Sequence, residues 1–199
     1  YVEALCPGLP DWEALNGCVE VFQTESTAPK GRYLGGPWEK PDAARIRALG
    51  LKFKLERAKD GQALSAALID AVARKKPILL FNWSPNWVEA RVPGKFIEFP
   101  PHQPGCEVNK AWGVNPEKLW DCGNPTGAWL KKAVTSGFSN QWPCAYVLIQ
   151  QVDFSNPMLS ELAALVDVDQ LTPEAAADHW LAQHTDTWSQ WLSASSSCR

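Results

Sequence analysis

Apolar and polar positions repeat with two different periods in the first half of the chain. Leu51, Phe53 and Leu55 alternate with Lys52, Lys54 and Glu56, the period-2 pattern of a strand with one wet face. A helix opened by Pro41 precedes it, with Ala44, Ile46 and Leu49 as apolar positions and Gly50 where a left-handed C-terminal cap belongs. Asp60-Gly61 turns the chain into a second helix over about 62–76. Its apolar stripe is Leu64, Leu68, Ala71 and Val72, and Arg74, Lys75 and Lys76 complement the C-terminal end of its dipole. Pro77 ends that helix. Ile78-Leu79-Leu80-Phe81 is then a short continuous apolar run, read as a strand buried on both faces. Strand, helix, strand makes a βαβ unit. Trp83 and Trp87 follow at the strand's C-terminal edge, where open α/β sheets bind their ligands.

The flanking segments are less regular. Pro10 to Leu15 starts a short helix stopped by Asn16-Gly17, and Val19 to Phe22 fits either helix or strand. Residues 26–37 read as a loop, in which the glycines of GRYLGGPW let the backbone come close to a neighbour. Phe96 to Phe99 predicts a short strand stopped by Pro100-Pro101, followed by a long loop over 102–127, a helix over about 129–136 and a buried strand from Tyr146 to Val152. Asn156-Pro157 opens a helix through Val166 and Thr172-Pro173 opens a second, the Thr-Pro pair putting a capping hydroxyl at the N-cap and proline in the first turn. Ala177, Trp180, Leu181, His184, Trp188 and Trp191 recur at three- and four-residue steps as one amphipathic closing helix, and 193–197 form a polar tail.

Charge and cysteine usage narrow the classes. A net charge of -3 without a basic stripe argues against nucleic-acid binding. No apolar run reaches the about 18 residues of a membrane span, and no stretch has the pattern of a signal peptide. The start at Tyr1, without an initiator Met, is read as a processed or truncated product. Six cysteines pair by proximity as Cys6 with Cys18, Cys106 with Cys122, and Cys144 with Cys198. CxxC and HxxxH spacings are missing, so no metal and no cofactor are expected. Structural disulfides imply an oxidising compartment, the periplasm or the outside of the cell.

Candidate chemistry is sparse except for tryptophan. No GxSxG elbow accompanies the three histidines, and His179 and His184, five apart, do not share a helix face. Asp167-Val168-Asp169 lacks the glycine and glutamate of a calcium loop. Eleven tryptophans beside three tyrosines and one methionine are the strongest compositional oddity. Trp12, Trp112, Trp120, Trp180, Trp188 and Trp191 read as packing residues. Trp38 and Trp83 stand on loops backed by rigid elements, where binding residues concentrate, and rings around a quaternary ammonium need no hydrogen bond to hold it.

The FNWSPNWV segment resembles the Trp-x-Pro-x-Trp stretch of glycine betaine, choline and proline betaine binding proteins, the soluble receptors of ABC importers. GRYLGGPW, then helix, strand, helix and that segment, follow the family's order. AADHWLAQHTDTWSQWL resembles its closing helix and YVEALCPGLPDWEALN its passage into the second lobe. The resemblance implies an α/β, periplasmic-binding-protein type II-like fold with two lobes of mixed sheet flanked by helices. Residues 1–88 would be the second lobe and 89–199 the C-terminal part of the first, with the N-terminal portion of lobe one, about a hundred residues, absent. It implies no enzymatic activity. The expected function is capture of a quaternary-ammonium osmolyte in an inter-lobe cleft, with hinge closure, and delivery to a membrane permease from the periplasm. Trp83 and Trp38 map onto cage tryptophans, with Tyr33, Asn82 and Trp87 as further candidates and the backbone N–H groups of Glu39 and Lys40 as carboxylate donors. Asn86 stands where many relatives have His or Tyr. The competing class is an extracellular Trp-rich carbohydrate-binding protein or a fragment of a glycoside hydrolase, which would depend on paired carboxylates instead of rings.

Overall fold

A computed structural model describes residues 1–126 and 130–194. Two compact units share the chain: Tyr1–Phe81 with Gly94–Ala128, and Asn82–Pro93 with Trp129–Arg199. The lobes expected at 1–88 and 89–199 concern correspondence with longer proteins and remain a proposal.

The first unit is built on a parallel pair, β1 (Gly31–Gly35) and β2 (Phe53–Arg57), in register Gly31 to Phe53 through Gly35 to Arg57. β1 lies within the stretch expected to be loop. Its glycines hid the strand pattern because they leave room for β2: a Cβ at Gly31 would lie 2.5 Å from the Phe53 ring, and one at Gly35 2.7 Å from Leu55. The backbone approach inferred from those glycines is thus to the neighbouring strand. On the other side of β1, Leu80 forms a parallel bridge with Leu34, supported by Leu34 N donating to Leu79 O at 3.0 Å and Phe81 N to Leu34 O at 2.8 Å. The Ile78–Phe81 run therefore borders β1 as expected of a βαβ unit, but as a bridge at the sheet edge. Its side chains are half-buried, not buried on both faces, because only one flank is paired.

Between these elements the helices follow their sequence signals. α1 (Val2–Leu5) precedes two short 3-10 turns, Trp12–Gly17, capped by the Asp11 carboxylate on Glu13 N, and Val19–Phe22. α2 (Asp42–Ala48) ends at Gly50 with φ +62, and α3 (Gly61–Ala73) starts where the Asp60 side chain accepts from Ala63 N at 2.7 Å. Leu64, Leu68 and Ala71 of α3 are buried, whereas Val72, counted in the stripe, lies on the outer face at 48% exposure. The main core gathers Leu15, Val19, Phe22, Leu49, Leu51 and Phe53 around the Cys6–Cys18 disulfide. Phe96–Phe99 contributes only a bridge, Glu98 with Asp11, in place of a strand. The loop beyond is closed by the Cys106–Cys122 disulfide.

In the second unit α4 (Trp87–Arg91) packs on α7 (Asn156–Asp167). Residues 130–135 are exposed and without regular structure where a helix was expected; the β-branched pair Val134-Thr135 and Gly137 lower helix propensity there. The remainder of that prediction, at Trp129, lies outside the described residues. After α5 (Phe138–Gln141), the segment expected as a buried strand, 146–152, is instead part of α6 (Pro143–Gln151), with no residue fully buried. A short apolar run fits either element, and Pro143 in the first turn favours the helix. The single closing helix is two, α8 (Pro173–Gln183) and α9 (Thr185–Ala194). They part at His184, whose backbone N–H and ring Nδ1 both lie against the Trp180 carbonyl, at 3.0 and 2.9 Å. Ala176 and Trp180 face inward, while Leu181 and Ala177 are exposed. Most of the polar tail and Cys198 fall outside the described residues, so the Cys144–Cys198 pairing does too.

Candidate functional site

The turn after β1 positions Trp38. Gly36 leaves the space its indole occupies: a Cβ there would sit 2.2 Å from the ring. The far edge of the indole reaches the start of α3, 3.7 Å from a Cβ built on Gly61, and the ring lies 5.8 Å from Phe81 at 52°. Arg57 at the end of β2 fixes the turn, donating from Nη1 to the carbonyls of Gly36 and Trp38 at 3.2 and 2.6 Å. Trp38 keeps 40% of its surface exposed, and Lys40 places its ammonium 5.7 Å from the Phe81 centroid. Two aromatic rings and a cation thus share one edge of the first unit. Sequence reasoning missed Phe81, although its place as the last residue of the apolar run, at the C-terminal edge of that bridge, was the available signal.

Tyr33 points elsewhere. It lies on β1, half-buried, with its hydroxyl toward Asp42, and burial pushes that hydroxyl well above its ordinary range. Asp42 is 7% exposed, and one of its oxygens, Oδ2, has no hydrogen-bond partner among the described residues. Burial raises its carboxyl above the usual 3.8, while Arg45, Tyr33, Arg57 and Lys40 pull it back. Arg45 spans from α2 to the disulfide loop: Nε donates to Cys122 O at 2.7 Å, Nη2 to Asn124 Oδ1 at 2.9 Å, and the guanidinium lies 5.1 Å from the Phe99 centroid. Glu39 is exposed on the turn beside Trp38.

Residues 82–91 lie in the second unit. Asn82 and Asn86 frame this loop. Asn86 Nδ2 donates to Asn82 Oδ1 at 2.9 Å, Asn82 Nδ2 to Glu89 Oε1 at 3.3 Å, and Asn86 N to Glu89 Oε2 at 3.0 Å, the last contact completing a capping box for α4. The Asn82 amide is therefore engaged at both ends within the loop. Trp87 is a core ring, 4% exposed, whereas Trp83, four residues earlier, is 44% exposed. Ser84, Glu89 and Ala90 line a pocket of 320 Å³ with Asn156, Pro157 and Ser160 of α7. Among the residues read as packing, Trp180 is buried against Phe154, His184 and Trp191, but Trp112 is 54% exposed over Gly105.

A metal reading is not supported by the donor chemistry. His102, Cys106 and Cys122 bring their ligand atoms within 4.8 Å of one another, but the two sulfurs are bonded to each other and offer no thiolate.

Comparison with known proteins agrees with the fold. Residues 1–183 match the family described as the substrate-binding domain of ABC-type glycine betaine transport systems. The chain is similar to the trimethylamine N-oxide-binding protein of Pelagibacter ubique (strain HTCC1062), 38% identical over 195 residues, which are 94% of this chain and 59% of that protein. It is also similar to the glycine betaine/carnitine transport binding protein GbuC of Listeria monocytogenes serotype 1/2a (strain 10403S), 23% identical over 129 residues, 65% of this chain and 36% of that one. Among solved structures, an ABC-transporter choline-binding protein in complex with choline superposes with a TM-score of 0.50 at 18% identity, covering 94% of this chain and 58% of that one. At that identity the likeness concerns the fold alone, the type II periplasmic-binding-protein fold. The chain thus spans under two thirds of the length of each of these proteins. With its family match running from Tyr1 almost to the end, the chain belongs to the substrate-binding domains of ABC-type glycine betaine transport systems, a family that binds its substrates without transforming them.

Proposed function

We propose that the chain captures a small quaternary-ammonium osmolyte, glycine betaine or a close relative, on exposed aromatic faces and hands it to the permease of an ABC importer on the extracytoplasmic side of a membrane. Trp38 and Trp83 are the two rings on which the reading rests, with Phe81 beside Trp38. The observation that carries it is the seat of Trp38: a large indole held half-exposed over Gly36 by a pinned turn is costly as packing and useful as a binding face. A trimethylammonium group has no N–H to donate, so it gains from π faces at about 0.5–2 kcal/mol each and requires no acceptor. The backbone N–H groups of Glu39 and Lys40 would hold a carboxylate end. Tyr33 and Asn82 are weaker candidates, since the hydroxyl of one turns to Asp42 and the amide of the other serves its own loop. In this reading residues 1–88 correspond to the second lobe of the longer relatives and 89–199 to the C-terminal part of the first. Both disulfides suit an oxidising compartment.

The test is a calorimetric titration with glycine betaine, choline and trimethylamine N-oxide, on this chain and on a version extended N-terminally to the relatives' length. Trp38→Ala and Trp83→Ala should each weaken binding by about 2- to 30-fold, the range that one ring supplies. Unchanged affinity in both variants would remove the aromatic reading.

A further inference from the structure

We infer that Lys40 makes the Trp38–Phe81 edge a selector for ligands carrying an anionic end, so that a quaternary-ammonium zwitterion is taken in preference to a net cation. The inference rests on the binding reading above and concerns which member of that ligand class is admitted.

The chain's own ammonium already occupies a cation position here. Lys40 Nζ stands 5.7 Å from the Phe81 centroid, and Phe81 lies 5.8 Å from Trp38. A trimethylammonium group brought to these rings must share the aromatic field with that charge or displace it. The two arginines nearby are held by other partners. Arg57 is fastened to the carbonyls of Gly36 and Trp38, and Arg45 to Cys122 and Asn124. Both guanidiniums and Lys40 act on one buried carboxylate, Asp42, and Glu39 is exposed on the same turn. Glu56 is paired with Lys54 at 3.5 Å. Glu107 also acts on Arg45, which leaves Lys40 as the cation that stands against the Phe81 ring. A ligand of net charge +1 meets that ammonium with no anion to offer it, and specificity arises from that repulsion. A zwitterion brings its own anion, to which the lysine's flexible, compact ammonium can swing as the ligand's cation takes its place on the ring. Because Lys40 is exposed, the effect is screened by salt.

The experiment measures dissociation constants for glycine betaine as the zwitterion probe and choline as the net-cation probe. Wild type, Lys40→Met, Lys40→Arg and Trp38→Ala are compared at low and high salt, with thermal melts to confirm folding. The wild type should favour glycine betaine by about 10-fold or more at low salt, and less at high salt. Lys40→Met should cut that ratio several-fold, with choline binding tightened and glycine betaine weakened, whereas Lys40→Arg should preserve it. An unchanged ratio in Lys40→Met, with both ligands weakened in Trp38→Ala, would overturn the selector and leave the aromatic reading standing. Absence of saturable binding of either probe by the wild type would overturn both.

Discussion

At the scale of single residues, Gly36 and Asp42 do more than their sizes suggest. Gly36 gives Trp38 its place, because any side chain there would meet the indole at 2.2 Å. Gly36→Ala should therefore displace the ring and lower ligand affinity about as much as Trp38→Ala, within the roughly 2- to 30-fold of one lost ring face, while the melting temperature moves little. A variant that binds normally would show that the indole's seat is irrelevant. Asp42 has the opposite character, a carboxyl raised by burial despite its cationic neighbours. The native state holds its proton to higher pH than the unfolded chain does. The associated stability is fully present below the ordinary value of 3.8 and is lost as pH rises through the raised native value. Asp42→Asn has no such titration, so its stability relative to wild type should climb with pH from about pH 4 and then level. Urea unfolding across that range measures it, and a difference that falls with pH would have the wrong sign. Neither residue stood out in the sequence. Gly36 read only as loop permissiveness, and Asp42 had no reading of its own, because what each touches is fixed by distant partners.

Some element boundaries were legible from local signals: Thr172 caps α8, Asp60 opens α3 where a turn was read, and Gly50 closes α2 with the expected positive φ, whereas the caps Asp11, Ser155 and Asn86 went unread. Reading failed where a pattern was short or glycine-rich. β1 carries glycine at both ends, so its alternation is masked, and the 146–152 run was too short for its period to separate strand from helix. The loop carrying Trp83 is an element framed by polar contacts that sequence cannot rank. Asn86 caps α4 through its Oδ1 and holds Asn82 through its Nδ2, and Asn86→Ala should cost about 1 kcal/mol or more, since the contact to Asn82 is lost with the cap. Chemical denaturation measures this, and a loss under a few tenths would mean the loop holds its shape without Asn86. The Cys106–Cys122 loop likewise depends on its closure and on Arg45. Replacing both cysteines by alanine should destabilise the chain by about 2–4 kcal/mol. A shift in denaturation midpoint near zero would contradict that.

For the molecule as a whole, the parallel β1–β2 pair with its bridging third segment and the α4–α7 packing each present an exposed tryptophan, Trp38 in one unit and Trp83 in the other. The α/β class was legible from the βαβ periodicities. The family was legible from FNWSPNWV, because aromatic residues around a proline survive as a linear motif. The division into units was not, since it rests on contacts between segments far apart in sequence, such as Arg45 with Cys122 and Arg91 with Asp169. The central claim is that aromatic faces recognise positive charge. It is tested most directly by titrating the protein's tryptophan fluorescence with choline and with its neutral tert-butyl isostere, 3,3-dimethylbutanol, which matches it in shape but lacks the charge. The account predicts a saturable change with choline, however weakly it competes with a zwitterion, and none with the isostere. Equal affinity for both would show that the rings bind shape and apolar surface alone, and would contradict it.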